Sequence, residues 1–504
     1  MHKLLKHKNM ESFYQFLSLF ENYGDNESLC TSDESIKFTY RNLAKEIKNF
    51  SHFVSTRIKP GQRVVLLDLH GPHWVIAFFS IVLNKAIAVP IDKRMNQALQ
   101  EEIFKMVDAE LLITCNPYIK FPKRIIVYEE EKLPSSEWKP EKVALDTLCE
   151  IIFTSGTWGK PKGVALTHRN ILSNLHSVLQ VYKPKQGEKV LSVLPLSHAY
   201  EQMCGLLLPI ASGCHIIYQS SLDSFSLLQS LQKFKVHYMV VVPRFLELFQ
   251  SSITSNLGKS KPIFSFLLKI SKYLPKFLKQ LIFTSLHKKF GGNLKTFIVG
   301  GAPFSNNLED FFKTLGFTCI IGYGLSESSP VLTVSQEKKR PKDSVGYPIP
   351  QVTIAIADDG EIIASGPNIS PGYWPLEQFH TGVLHTGDIG ALDEKGRLYV
   401  MGRKKNMVVF STGDKIQLED IEDSATKLDG ISEVCVIAVG KNNSELILFY
   451  TGTAKEETII EYLNQKLPLY ARIHKVIKWH EEKLPSSHTM KIQRNIIRNT
   501  YATD

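Results

Sequence analysis

Three hydroxyls, three glycines and two lysines crowd into the stretch from Thr154 to Gly163, which reads TSGTWGKPKG. Gly156 and Gly159 let backbone N–H groups approach a bulky anion, and the hydroxyls of Thr154, Ser155 and Thr157 donate to its oxygens. Lys160 and Lys162, with no acid between them, supply charge. A phosphate is the guest such a loop predicts, although the same composition also suits a solvated hairpin loop. It is not a Walker loop, because Pro161 stands where that loop needs its second glycine.

Two later stretches carry complementary chemistry. IIGYGLSESSP, from Ile320 to Pro330, offers Tyr323 to stack on a purine, with Gly322 and Gly324 for close backbone approach. It adds Ser326 as a phosphate donor and Glu327 as an oxygen ligand for Mg²⁺. VLHTGDIGALDEKGRLYVMGRKKN supplies Asp388, whose carboxylate suits the paired hydroxyls of a ribose, and Arg403, a positive donor for the same sugar or an α-phosphate. A T-G-D turn also has an ordinary explanation in turn chemistry. His198 in LPLSHAYEQ is either a polar strand-end histidine or the gate of a substrate pocket.

The elements that must position these groups alternate. From Phe38 to Asp92 the chain reads helix (TYRNLAKEIKNFSHFVS), strand (RVVLLDL), core helix (HWVIAFFSIVLNK) and strand (AIAVPI), and LLITC and RIIVY continue the series. Strands separated by helices predict an open α/β sheet covered on its faces. The strands flanking Thr154–Gly163 follow, with a helix over His168–Leu179, a strand at Val190–Leu194, and FIVGGAP as a strand entering a tight turn. Short strands with turn signals follow Val345, and from Asn406 a compact unit of strands and helices runs to the end.

Taken together, TSGTWGKPKG, LPLSHAYEQ, FIVGGAP, IIGYGLSESSP and the TGD…GRKK stretch, in this order, resemble the adenylate-forming superfamily of AMP-binding enzymes, and most of all its long-chain fatty acyl-CoA synthetases and acyl-acyl carrier protein synthetases. The resemblance spans nearly the whole chain. It implies a large N-terminal domain (1–402) of two α/β subdomains plus a small β-subdomain, a hinge at 403–405, and a small mobile α+β C-terminal domain (406–504). It assigns nucleotide binding to Thr154, Ser155, Gly156, Thr157, Gly159, Lys162, Gly322, Tyr323, Gly324, Ser326, Asp388 and Arg403, and the adenine contact to Gly301, Ala302 and Pro303. Glu327 would hold Mg²⁺, His198 would gate the acyl pocket, and Lys491 would be the catalytic lysine on the transferring phosphate. Lys405 would be the hinge and Gly413 part of the second-step face. The implied reaction is ATP-dependent activation of a medium- or long-chain fatty acid to acyl-AMP, then transfer to CoA or to a phosphopantetheinyl carrier protein. Three residues depart from the pattern. Trp158 replaces a loop threonine, Met490 replaces the glycine before the catalytic lysine, and Leu418 replaces a proline. Leu418 and Trp158 look more like the carrier-protein enzymes, while Trp158 and Met490 motivate an alternative, a catalytically degenerate lipid-binding protein at a membrane surface.

Composition frames these expectations. At 504 residues two or more domains are expected, and a net charge of +10 points to anionic partners such as nucleotide, acidic carrier protein or anionic membrane. No motif supports nucleic-acid binding. Seven cysteines without a C-x-x-C pair, and no signal peptide or spanning segment, predict reduced thiols in a cytoplasmic protein, with peripheral contact at the inner membrane face as the variant reading. That contact would run through 259–289. Ser251–Phe290 holds eight lysines and no acid, interleaved with apolar residues at near-helical spacing and broken at Pro275. Such helices either lie on an anionic surface or pack one apolar face on the core.

Overall fold

A computed structural model describes residues 12–121, 123–128, 138–155, 161–255, 261–335, 340–376, 382–410, 415–440, 445–486 and 492–503. The chain divides into two compact units, residues 1–354 with 364–384, and residues 355–363 with 385–504.

The larger unit is built on two sheets. Nine strands of one lie in the order Ser344–Pro348, Val331–Ser335, Thr318–Gly324, Thr296–Val299, Tyr238–Val241, Lys189–Ser192, His215–Tyr218, Glu27–Thr31 and Lys37–Thr39. Pairing from Thr318–Gly324 through Glu27–Thr31 is parallel, and the outer pairs are antiparallel. The second sheet runs Gly372–Trp374, Pro161–Thr167, Leu148–Ser155, Ile87–Ile91, Arg63–Leu67, Leu111–Thr114 and Arg124–Val127. The predicted helix–strand alternation is therefore present, and the interior parallel strands are near-continuous apolar runs, as burial on both faces requires.

One core joins the two sheets. Leu29, Val190 and Ile216 of the first, Val64, Leu66, Ala88 and Ile152 of the second, and Val75, Phe78 and Phe79 between them belong to a single apolar cluster. Those last three sit on the helix Gly71–Leu83, which is buried from Pro72 to Leu83 because it has almost no polar residue to expose. Helix Tyr40–Ser55 begins where the Thr39 side chain accepts the Asn42 N–H, and helix His168–Val181 begins in a capping box between Thr167 and Asn170.

The basic stretch forms three helices, Lys261–Ser271, Lys276–Ile282 and Thr284–Lys289, where two were expected: the break at Pro275 is present, and a second falls at Phe283. Two apolar sets emerge where one was expected. Phe264, Leu267, Leu274, Leu278 and Phe283 turn inward, while Ile263, Phe266, Ile270, Tyr273, Phe277 and Leu281 are exposed.

In the smaller unit, strand Leu398–Arg403 pairs antiparallel with Val383–Leu392, setting Asp388 opposite Arg403. A three-stranded sheet, Ile431–Val439, Glu445–Gly452 and Ile473–Lys478, packs with helices Leu418–Ala425 and Glu456–Asn464 around Val436, Leu448, Ile459 and Leu463. Arg494 clamps this unit internally, 2.6 Å from Glu422 and 3.5 Å from Glu419. The seven cysteines are unpaired, six of them buried, and among the described residues no helix is long and apolar enough to cross a membrane.

Two neighbouring glycines differ in what they permit. A Cβ on Gly324 would lie 1.8 Å from the Pro330 carbonyl oxygen, whereas one on Gly322 would meet nothing nearer than 3.7 Å. Gly324→Ala is expected to destabilise the protein by about 1–3 kcal/mol, the usual cost of forced overpacking. Gly322→Ala is expected to leave the urea midpoint unchanged, and equal midpoints for the two variants would contradict this packing.

Candidate active site

The strands Leu148–Ser155 and Pro161–Thr167 form an antiparallel hairpin that sets Thr154 opposite Lys162. Gly156, Thr157, Trp158, Gly159 and Lys160, the body of the expected phosphate loop, lie outside the described residues, as does the side chain of Ser155. The base of the loop is held tightly. A Cβ on Gly163 would sit 2.7 Å from the Ile151 side chain and 3.1 Å from the Phe153 ring, so those two side chains occupy the space a larger residue would need.

This hairpin pairs on its outer side with Gly372–Trp374, and there the structure brings two of the sequence motifs together. The Lys162 ammonium lies 5.3 Å from the centroid of the Tyr373 ring. The Tyr373 hydroxyl donates to Glu327 Oε1 at 2.7 Å. Glu327 is also held by its backbone, whose carbonyl accepts the Ser370 N–H at 2.8 Å, while the Ser370 hydroxyl donates to Ala165 O at 2.7 Å. Sequence reasoning missed Tyr373, since a single aromatic in a three-residue strand carries no signal until its neighbours are known.

The remaining groups of this unit gather at the carboxyl ends of parallel strands, where open α/β sheets bind ligands. Strand Thr296–Val299 runs into Gly300, Gly301, Ala302 and Pro303, with Gly301 at φ 80°. Its parallel neighbour Thr318–Gly324 ends in Gly322, Tyr323 and Gly324, and Ser326 opens the short 3₁₀ turn that carries Glu327. On the same sheet, Lys189–Ser192 leads into the segment 194–202. Tyr200 ties that segment to the glycine turn: its hydroxyl donates to Ile298 O at 3.0 Å, and a Cβ on Gly300 would lie 3.1 Å from its ring.

His198 Nε2 stands 3.7 Å from Asp92 Oδ2, at the end of strand Ile87–Ile91 on the other sheet. The Asp92 side chain is only 2% exposed, a costly place for a lone charge, and Arg94 meets it with bonds of 2.9 and 2.6 Å. Burial alone would raise the Asp92 carboxyl, but the Arg94 bonds outweigh it and hold that carboxyl below the usual carboxylate range.

Two further carboxyls in this region have no cation among the described residues. Glu150 and Glu201 are fully buried. Glu150 Oε1 accepts from Gln202 Nε2 at 2.6 Å, and Glu201 Oε1 accepts from the Ser192 hydroxyl. Burial pushes both up to about 8, the single hydrogen bonds offsetting it only in part, so both are mainly neutral acids at pH 7.

In the smaller unit Asp388 and Arg403 are joined directly, Arg403 Nε lying 2.9 Å from Asp388 Oδ1. The turn around them is braced by Glu361, which accepts the Gly387 N–H at 2.9 Å and the Lys404 ammonium at 2.9 Å. Lys405 lies in the 3₁₀ turn Lys404–Asn406 and is exposed. Gly413, Met490 and Lys491 lie outside the described residues. The bridge between Ser486 and Ile492 flanks the last two.

The sequence profile of the family described as "AMP-binding enzyme" matches residues 19–374. Among curated proteins, the long-chain-fatty-acid–CoA ligase FadD15 of Mycobacterium bovis is 28% identical over 443 residues, covering 77% of this chain and 73% of the relative. The long-chain-fatty-acid–CoA ligase of Salmonella typhimurium is 30% identical over 387 residues, covering 72% of this chain and 63% of the relative. Among solved structures, ATP-bound MatB from Rhodopseudomonas palustris superposes with a TM-score of 0.81 at 19% identity, covering 97% of this chain and 99% of that one, which shows a shared fold.

The two neutral acids set a pH dependence. Their folded pKa values stand above the ordinary carboxyl value, so folding takes up protons between about pH 4.5 and 8. Their contribution to stability is full below that window and is lost as pH rises through it. Glu201→Gln should remove about one proton from the pH slope of the urea unfolding free energy across that window. An unchanged slope would show that Glu201 is ionised in the fold.

Proposed function

This chain belongs to the AMP-binding enzyme family, and from that premise we propose that it is an AMP-forming acid–thiol ligase acting on medium- or long-chain fatty acids. The observation that carries the reading is the meeting of Lys162 and Glu327 on Tyr373, which sets a cation from the phosphate-loop hairpin beside the carboxylate of the Y-G-x-S-E motif. The names of the relatives, long-chain-fatty-acid–CoA ligases, support the substrate class.

The chemistry starts from a repulsion, because a carboxylate must approach the α-phosphorus of a polyanion. Positioned positive charge and hydrogen-bond donors are the remedy. Thr154, Ser155, Gly156, Thr157, Gly159 and Lys162 would cradle the phosphates, and Lys491 would approach the transferring phosphate. Tyr323 would stack on the adenine beside Gly301, Ala302 and Pro303, while Asp388 would accept from the ribose hydroxyls with Arg403 oriented beside it. Glu327 fits Mg²⁺ as a hard oxygen donor fixed by Tyr373, and among the described residues no cluster of three His, Cys, Asp or Glu offers a cage. One carboxylate plus substrate phosphates is thus the fitting mode of binding. Mg²⁺ would there neutralise phosphate charge. The fatty carboxylate oxygen attacks the α-phosphorus and pyrophosphate leaves. A thiol sulfur then attacks the acyl carbon, loses its proton and releases AMP. His198 would gate the acyl side. Lys405, at a 403–405 hinge between 1–402 and 406–504, and Gly413 would serve the change from first to second step.

The relatives' names favour CoA as the thiol, while Leu418 and the net charge of +10 favour an acidic carrier protein. The exposed set Ile263, Phe266, Ile270, Tyr273, Phe277 and Leu281, beside Lys269, Lys272 and Lys276, supports contact with an anionic membrane. Anionic vesicles should sediment the protein, and Phe266→Ser with Phe277→Ser and Leu281→Ser should cut that binding at least tenfold. Retention at the original level would remove the membrane reading.

The decisive measurement is fatty-acid-dependent exchange of labelled pyrophosphate into ATP, with CoA and holo carrier protein then offered in parallel. Lys491→Ala should lower exchange by at least a hundredfold while thioester formation from supplied acyl adenylate stays within about fivefold of the starting protein. Nucleotide binding without exchange for any acid tested would favour the degenerate lipid-binding alternative.

A further inference from the structure

Glu150 is an expensive residue in its place. It lies on the strand Leu148–Ser155 that feeds the phosphate loop, it is fully buried, and its second oxygen has no hydrogen-bond partner among the described residues. A leucine or methionine there would avoid desolvating a polar group for a single bond. What the carboxyl gains is its one contact. The Gln202 carboxamide donates to Glu150 Oε1 at 2.6 Å and, from the same nitrogen, to Leu196 O at 2.8 Å. One side chain thereby closes the segment 194–202 upon itself and fastens it to the other sheet.

That segment is suspended between the two sheets of the larger unit. Tyr200 reaches Ile298 O on one side, and Gln202 reaches Glu150 on the other. His198, between them, faces Asp92 at 3.7 Å. We propose that Glu150, acting through Gln202, is a positioning residue that holds the acyl-side segment in register with the phosphate-loop strand, so that the fatty carboxylate meets the α-phosphorus at bonding distance. This rests on the adenylation reading. A misplacement of about 1 Å between reacting groups can cost on the order of a hundredfold in rate, which is the scale such a brace protects. Because no cation among the described residues faces Glu150 and burial keeps it protonated, the property required is an acceptor oxygen rather than a negative charge. An amide supplies the same oxygen.

The test compares Glu150→Leu, Glu150→Gln, Gln202→Met and the double variant Glu150→Leu/Gln202→Met in pyrophosphate exchange. A second measurement follows acyl transfer to thiol from supplied acyl adenylate. Glu150→Leu and Gln202→Met should each lower kcat for exchange ten- to a hundredfold with KM for ATP and fatty acid within threefold. The double variant should be no more than twofold worse than Glu150→Leu, and Glu150→Gln should return to within threefold of the starting protein. Transfer from acyl adenylate should stay within threefold throughout. If Glu150→Leu does not fold, Gln202→Met carries the comparison. Exchange at the original rate in Gln202→Met, a Glu150→Gln as slow as Glu150→Leu, or equal loss of both half-reactions would overturn the proposal. Absence of exchange in the unaltered protein would instead overturn the adenylation reading.

Discussion

A lysine and a glutamate from distant parts of the chain are held on two sides of one phenol. Lys162 faces the ring of Tyr373 and Glu327 accepts from its hydroxyl, and the hairpin, the Glu327 turn and the strand Gly372–Trp374 must all be in place for that to happen. The cation rests near the π face of the ring and the carboxylate on its hydroxyl. The Ser370 bonds to Glu327 O and Ala165 O hold the Glu327 turn against this hairpin.

The same economy governs the rest of the larger unit. Three of the segments singled out by the sequence leave the carboxyl ends of parallel strands in one sheet, while the hairpin of the proposed phosphate loop belongs to the other. Polar side chains in an apolar interior tie these segments in direction as well as distance, alongside the backbone bond from Ser370 N–H to the Glu327 carbonyl. Tyr200 on Ile298 O and Gln202 on Glu150 are such ties, the second of them fully buried and costly to leave unmet.

Much of this was readable in the chain itself. Helix–strand alternation announced the sheets, because parallel strands buried on both faces must be apolar throughout, and the ordered motifs announced the family. Tyr373, Glu150 and the neutral state of Glu201 were not readable, since each depends on a neighbour far along the chain and local pattern says nothing about such pairs. The basic helices were half readable. Near-helical spacing revealed that they were amphipathic, but a sequence with apolar residues on two faces does not declare which face meets the core. The compact units in the fold part at residue 385, which takes the Asp388–Arg403 pair into the smaller one, while sequence reading places the hinge at 403–405 from the resemblance.

The turn Gln202–Leu207 is a π-helix, a helical segment carrying one residue more than its neighbours. Gly205 lies inside it, and a Cβ there would sit 2.2 Å from Glu201 Oε1, so the wide turn and the missing side chain together make room for the buried acid. Descent therefore cannot alter these features one at a time. A deletion that restored a regular helix would rotate everything beyond it by roughly a third of a turn, and a side chain at Gly205 would evict the acid. Lineages of this protein should keep or lose the extra residue, the glycine and the acid as one inherited block.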